Sequence, residues 1–233
     1  MNGATLTVHH LEMSRSHRIL WLLEELGVPY ELKVYRRDPK TRLAPATLKQ
    51  IHPLGKAPVI THGDRVVAES GAILEYLAET FGTQAPAEWA HLVPEAGTEA
   101  HRQCRFWMHY AEGSLMNWLL MKLVFMSIPQ QPMPFFVRPI AKALCQQVQK
   151  KLIDPNLDTA LPFMDAELAQ RAWFAGDHPS LADVQMSFAV EAALSRATGS
   201  RHYPHLQAWL DRVQARPAYR RAVDKGGPVV IAA

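Results

Sequence analysis

The chain has 233 residues, 48% hydrophobic and 20% charged, which excludes a disordered chain and, at roughly 150 residues per domain, leaves one large domain or two small ones open. Its 25 Lys and Arg against 22 Asp and Glu leave a net charge of +3, and the basic residues are scattered where nucleic-acid binding would gather them into a stripe. The 2 cysteines, Cys104 and Cys145, form no C-x-x-C or Cys/His cluster, which argues against a disulfide framework or a zinc site.

Leu6 to Leu11 alternates as a strand, a Ser-containing turn follows, and Ile19, Leu22, Leu23 and Leu26 recur at helical spacing. Gly27 is a C-terminal stop with Pro29 just beyond, and Tyr30 to Tyr35 alternates again, so the chain opens with a βαβ unit. Residues 36–50 are polar with a short helical stretch. The run His52-Pro53-Leu54-Gly55 then breaks the chain before Pro58 to Thr61. Those residues and Val66-Val67-Ala68 flank Gly63-Asp64 as a β-hairpin, and Ser70 is placed to cap a helix whose apolar face is Ile73, Leu74, Leu77 and Phe81.

Thr83 to Gly97 carries Pro86, Pro94 and Gly97 with little periodicity, the composition of a linker. Beyond it no convincing strand appears, while helical periodicity recurs through Phe106, Tyr110, Trp118 and Leu119 and again through Leu181, Val184 and Phe188. Pro129, Pro132, Pro134 and Pro139 are expected to end the first long helix, because each ring removes a backbone donor. Ser180-Leu181-Ala182-Asp183 fits a capping box. Gly226 to Ala233 is apolar but too short to specify a structure.

No charged-then-apolar leader opens the chain, and Leu115 to Ile128 is too short to span a bilayer and contains Asn117, Lys122 and Ser127. A cytoplasmic protein without a membrane partner is therefore expected. The 11 histidines sit singly or as the pair His9-His10, with no ligand spacing, so no metal is expected.

Three places can carry chemistry. The first is the strand-to-helix turn with Ser14 and Ser16, where a hydroxyl at a helix N-terminus either caps the helix or donates to a thiolate. The second is Lys56-Ala57-Pro58-Val59. A trans Pro58 would simply start an edge strand, whereas a cis bond would turn the Ala57 backbone toward a peptide-like ligand. The third is Glu69-Ser70, an ordinary helix cap or a carboxylate and hydroxyl that together meet an α-amino acid. All three would converge at one end of an α/β sheet, the usual place for a crevice. Together they describe a site for a γ-glutamyl peptide with a central thiol.

These segments, Leu11 to Leu26, His52 to Ile60 and Glu69 to Leu77, resemble the N-terminal domain of cytosolic glutathione S-transferases. The Ser180 cap and the helical second half continue the likeness over essentially the whole chain, and Tyr110-Ala111-Glu112-Gly113-Ser114-Leu115 is similar to the bacterial and fungal branch with a serine-type site. The resemblance implies an α/β thioredoxin-like N-terminal domain with a mixed four-stranded sheet, residues 1–82. A linker over 83–97 and an all-α substrate-binding domain over 98–233 would follow. It implies a homodimer that takes glutathione as co-substrate, without a cofactor, and conjugates it to small hydrophobic electrophiles. By the same likeness Glu69 and Ser70 hold the γ-glutamyl end, Ala57 before a cis Pro58 pairs with the cysteinyl backbone, Lys56 approaches the glycine carboxylate and catalytic Ser14 faces the sulfur. The electrophile would be held by helical-domain residues such as Trp107, Tyr110, Ser114 and Trp118, of which at most half are expected to touch it, core packing being the other reading of the aromatic ones. Many relatives have Asn where His52 stands, and Ser16 competes with Ser14 for the sulfur. Glutathione-dependent peroxide or disulfide reduction, and a non-catalytic binding protein, are the alternative readings.

Overall fold

The computed structural model describes residues 4–199 and 201–230; of the apolar segment 226–233, residues 231–233 lie outside it. Strands β1 (Leu6–Leu11), β2 (Glu31–Tyr35), β3 (Val59–His62) and β4 (Arg65–Ala68) form one mixed sheet in the order β2-β1-β3-β4. β1 pairs parallel with β2 and antiparallel with β3, and β3 pairs antiparallel with β4. Every residue of β1 is buried, Thr7, His9 and His10 included. An interior strand is covered on both faces, so its polar positions need partners inside the protein. His9 finds one in the Tyr35 hydroxyl, 2.9 Å from its Nδ1.

Helix α1 (His17–Leu26) ends as its sequence predicts, with Gly27 at φ +64 and its N–H donating to the Leu23 carbonyl. Nine of its ten residues are buried, because α1 packs against α2 (Ser70–Phe81), α7 (Leu181–Arg196) and α9 (Pro217–Gly226) as well as the sheet. Such a helix is apolar nearly all round, and its few polar residues require designated partners. At α2 the helix begins one residue earlier than expected: Glu69, not Ser70, occupies the N-cap, with φ +74 and no side-chain capping bond, and Ser70 is the first helical residue.

The second half is helical. α3 (Glu99–Tyr110) runs into α4 (Met116–Ser127) through a π turn at Ala111–Leu115, and α5 (Arg138–Val148) runs into α6 (Asp154–Gln170) through a second at Gln149–Ile153. Helix α8 (Pro204–Ala215) precedes α9. Pro129, Pro132 and Pro134 lie in the break after α4, but Pro139 does not: it sits in the first turn of α5, where a missing N–H costs nothing. The Ser180 capping box forms as expected. Ser180 N–H donates to Asp183 Oδ2 at 2.9 Å, and the Trp209 indole and Phe174 N–H donate to Oδ1, each at 3.0 Å.

The Pro-containing stretch between the halves is anchored, not loose. Trp89 and Leu92 are buried in the core, and the Trp89 indole donates to Glu25 Oε2 of α1 at 3.0 Å. Glu25 also receives the Trp21 indole and the Nε and Nη2 of Arg216, whose Nη1 and Nη2 reach Glu88.

Candidate functional site

The loop from β1 to α1 is held by its own serines. Met13 takes φ +47 and turns the chain, after which Ser14 Oγ accepts from Ser16 N–H at 3.2 Å, a local cap for the turn that leads into α1. The Ser14 hydroxyl lies 2.7 Å from both the Leu11 carbonyl and Ser16 Oγ. Ser16 is wholly buried; its Oγ accepts from Leu11 N–H and lies 2.8 Å from His10 Nδ1. His10 reaches across to α9, with Nε2 2.8 Å from the Gly226 carbonyl. Burial pushes the His10 imidazole below its ordinary pKa against the opposing pull of that carbonyl and of Glu12. Neighbouring His17 is driven further down, to about 3, by burial and then by His10.

Beside this turn is a charge cluster that joins the two halves. Arg15 Nε lies 2.9 Å and Arg18 Nη1 2.5 Å from the Glu112 carboxylate. Glu112 projects from the π turn between α3 and α4, a distortion often found at functional positions. Burial raises its pKa, but Arg18 and Arg15 outweigh that and hold its carboxyl below the usual range. Arg18 is fully buried, with Nε and Nη2 unpartnered among the described residues, and desolvation lowers its pKa to about 10 in spite of Glu112.

A cleft of about 310 Å³ opens at this end of the sheet. Lys56, Ala57 and Pro58 border it from the loop before β3, Ala68, Glu69 and Ser70 from the β4–α2 turn, and Arg15 and Glu112 from the interface between the halves. His52 and Leu54 complete the rim. The Ala57–Pro58 peptide is cis. Glu69 is exposed and Ser70 buried. The first intrahelical bond of α2 runs from Ile73 N–H to the Glu69 carbonyl at 2.9 Å, so the N–H groups before it are open to an anion at the helix's positive end.

Four of the five residues expected from sequence thus border one cavity. The fifth, Ser14, lies one position from Arg15 but does not border it, being 7% exposed with its hydroxyl turned inward. Nothing in the sequence marks Arg15 and Glu112 as site residues. Arg15 stands between Ser14 and Ser16, and its partner is far away in sequence, so only packing pairs them. Trp107 is corrected to a core residue: it is 0% exposed and stacked on Phe163 with a 5.4 Å centroid separation. Tyr110 and Trp118 pack partly buried against the same core, and Ser114 is exposed; none of the four borders the cleft.

A mixed four-stranded sheet with a cis-proline cleft, backed by a helical half, defines a thioredoxin-like domain joined to an all-α one. Known proteins agree. Residues 13–80 match the family model for the glutathione S-transferase N-terminal domain, and residues 117–217 that for the C-terminal domain. The chain is 34% identical over 221 residues to glutathione S-transferase 3 of Schizosaccharomyces pombe, covering 94% of this chain and 87% of the relative. It is 28% identical over 233 residues to glutathione S-transferase 1 of Saccharomyces cerevisiae, covering 97% of each. Among solved structures, a glutathione S-transferase from Actinobacillus pleuropneumoniae superimposes with a TM-score of 0.71 at 29% identity, over 95% of this chain and 93% of that one. One from Xylella fastidiosa gives 0.72 at 20% identity, over 97% and 100%. The chain belongs to the glutathione S-transferase family and is a transferase of that family.

Among the described residues no helix is long and apolar enough to cross a membrane, and no group of three or more His, Cys, Asp or Glu side chains is placed to hold a metal ion.

Proposed function

We propose that this transferase is a cytoplasmic homodimer with a serine-type site, which binds glutathione as its thiolate and conjugates it to small hydrophobic electrophiles. Residues 1–82 hold glutathione, 83–97 join the halves, and 98–233 supply the electrophile's side of the site. The observation that carries this reading is the gathering of Lys56, Ala57, Glu69 and Ser70 around one cleft at a helix N-terminus. The Glu69 carboxylate suits the γ-glutamyl ammonium, while the Ser70 hydroxyl and the α2 N–H groups suit the carboxylate beside it. The Ala57 backbone pairs with the cysteinyl residue, and Lys56 neutralises the glycine carboxylate.

Sulfur activation falls to Ser14. A free thiol titrates near pH 8.5, so stabilising its anion by about 1–2 units turns a minor species into a major one at neutral pH. A hydroxyl donor does this by hydrogen bonding to the charged form. The complete burial of Ser16, with His10 against its hydroxyl, supports Ser14 over Ser16. One carboxylate between Arg15 and Arg18 leaves a net positive cluster beside the same turn, which also favours an anion. Catalysis is then thiolate stabilisation plus proximity, with no covalent enzyme intermediate. The test is the pH titration of the thiolate absorbance of bound glutathione in wild type and Ser14→Ala. The titration moves to higher pH in the variant, and an unchanged curve removes Ser14 from the role.

A further inference from the structure

Two hydroxyls, one imidazole and one main-chain carbonyl stand in an unbroken line: Ser14 Oγ, 2.7 Å to Ser16 Oγ, 2.8 Å to His10 Nδ1, and from His10 Nε2 2.8 Å to the Gly226 carbonyl. Donor counting fixes the ring proton of His10. A carbonyl only accepts, so Nε2 carries the ring proton; in a neutral imidazole Nδ1 is then bare and must accept from Ser16. The Leu11 carbonyl lies 3.2 Å from Ser16 Oγ, farther than His10 Nδ1; with its proton given to His10, Ser16 can only accept from Ser14, whose proton has two acceptors at 2.7 Å, Ser16 Oγ and the Leu11 carbonyl. The far end is built for close approach. A Cβ on Gly226 would lie 2.6 Å from Leu20 Cδ1 and 3.1 Å from His10 Cε1 and Nε2, so only glycine lets α9 come this near the ring.

We infer that His10 is the terminal acceptor of the glutathione thiol proton, which reaches it through the hydroxyls of Ser14 and Ser16. The inference rests on Ser14 facing the sulfur. The S–H bond breaks and its proton passes to Ser14 Oγ, as the Ser14 proton passes to Ser16 Oγ and the Ser16 proton to His10 Nδ1. What remains is a thiolate, two intact hydroxyls that now donate in the opposite direction, and an imidazolium whose Nε2–H still donates to Gly226. Nothing is oxidised or reduced. Each link in the line holds one proton before and after, so no heavy atom along it has to move. Once the sulfur has been alkylated, the proton returns by the same route to water in the cleft.

The groups acting on the charge of His10 are Glu12, at the end of β1, and the Gly226 carbonyl, which favour the imidazolium, while burial disfavours it. His17 on α1 is coupled to it as a like charge. His10 therefore starts neutral and ready to accept.

The direct test is nitrogen NMR of the His10 ring in the full-length wild-type protein. With S-methylglutathione, which has no thiol proton, His10 stays neutral with the proton on Nε2. With glutathione, at a pH where thiolate absorbance is fully developed, it becomes an imidazolium. A ring that stays neutral beside the thiolate overturns the relay. In variants, His10→Phe moves the acid limb of the kcat/KM profile up by about one pH unit, roughly a tenfold loss on that limb. Ser16→Ala reproduces the shift, and S-methylglutathione affinity is retained in both. An unmoved profile in a folded His10→Phe protein overturns the relay alone, provided Ser14→Ala still shifts the thiolate titration. If Ser14→Ala has no effect, the Ser14 reading fails first and the relay with it.

Discussion

Glu69 holds a left-handed backbone, φ +74, at the rim of the cleft, a conformation that costs a non-glycine residue free energy and is retained where a side chain must be aimed. Among the described residues lining the cleft its carboxylate is the one anion not already paired with arginine, which suits it to the role proposed for it, partner of an ammonium group. Glu69→Gln keeps the shape and removes the charge. A charge-assisted hydrogen bond contributes about 1.5–3 kcal/mol, so KM for glutathione rises roughly 10- to 150-fold with a much smaller change in kcat. Lys56 is exposed, and an exposed ion pair contributes only about 0–1 kcal/mol, so Lys56→Ala raises the same KM by no more than about fivefold. Steady-state kinetics on both variants checks the ranking. His17 makes a different prediction. Its folded-state pKa is depressed from 6.5 to about 3, so between those values the unfolded chain binds a proton that the folded one refuses. Stability from this residue is full above pH 6.5 and falls by about 1.4 kcal/mol for each pH unit below it. Urea unfolding at two pH values inside that window gives a steeper loss for wild type than for His17→Phe.

At the scale of elements, α1 is where the sequence reads best and also where it stops short. Its apolar spacing and Gly27 mark the helix almost to the residue, since 3.6-residue periodicity and a left-handed glycine are both local signals. Local signals also give the β3–β4 hairpin and the Ser180 box. Contacts between distant segments leave no such trace: Glu112 against Arg15, or Gly226 against His10, is decided by packing alone. Trp107 shows the same limit, because helical spacing places it on a face without saying whether that face meets core or cleft. Glu25 and Arg216 are a third such pair, tying α1 to the junction of α8 and α9 with both side chains nearly buried. Removing one partner of a buried pair leaves the other charge unpaired, at a cost of about 3–5 kcal/mol. Arg216→Met therefore destabilises strongly, and adding Glu25→Gln recovers part of the loss; denaturant titration of the single and double variants measures both.

The whole molecule is built around a helix that neither half owns. α1 belongs in sequence to the sheet-containing half, yet it is covered by α7 and α9 of the helical half, and Trp89 from the intervening stretch closes over it. Two halves that share one buried helix lose their cores together, so tryptophan fluorescence and far-ultraviolet dichroism should report a single coincident transition in urea. A fragment ending at residue 97 would present the apolar outer face of α1 to water and should lack the dispersed NMR spectrum of a folded domain. Separate transitions, or a folded fragment, would refute this coupling. The contact between His10 and Gly226 gives the same arrangement a meaning in time. A chain emerging from the ribosome has its serine turn, its cis-proline loop and its glutamate within the first third of its length, but the carbonyl that holds His10 is translated only at position 226. The turn is made early and anchored late, so a nascent chain can carry the residues proposed to bind glutathione for most of its synthesis before the serine turn is locked in place.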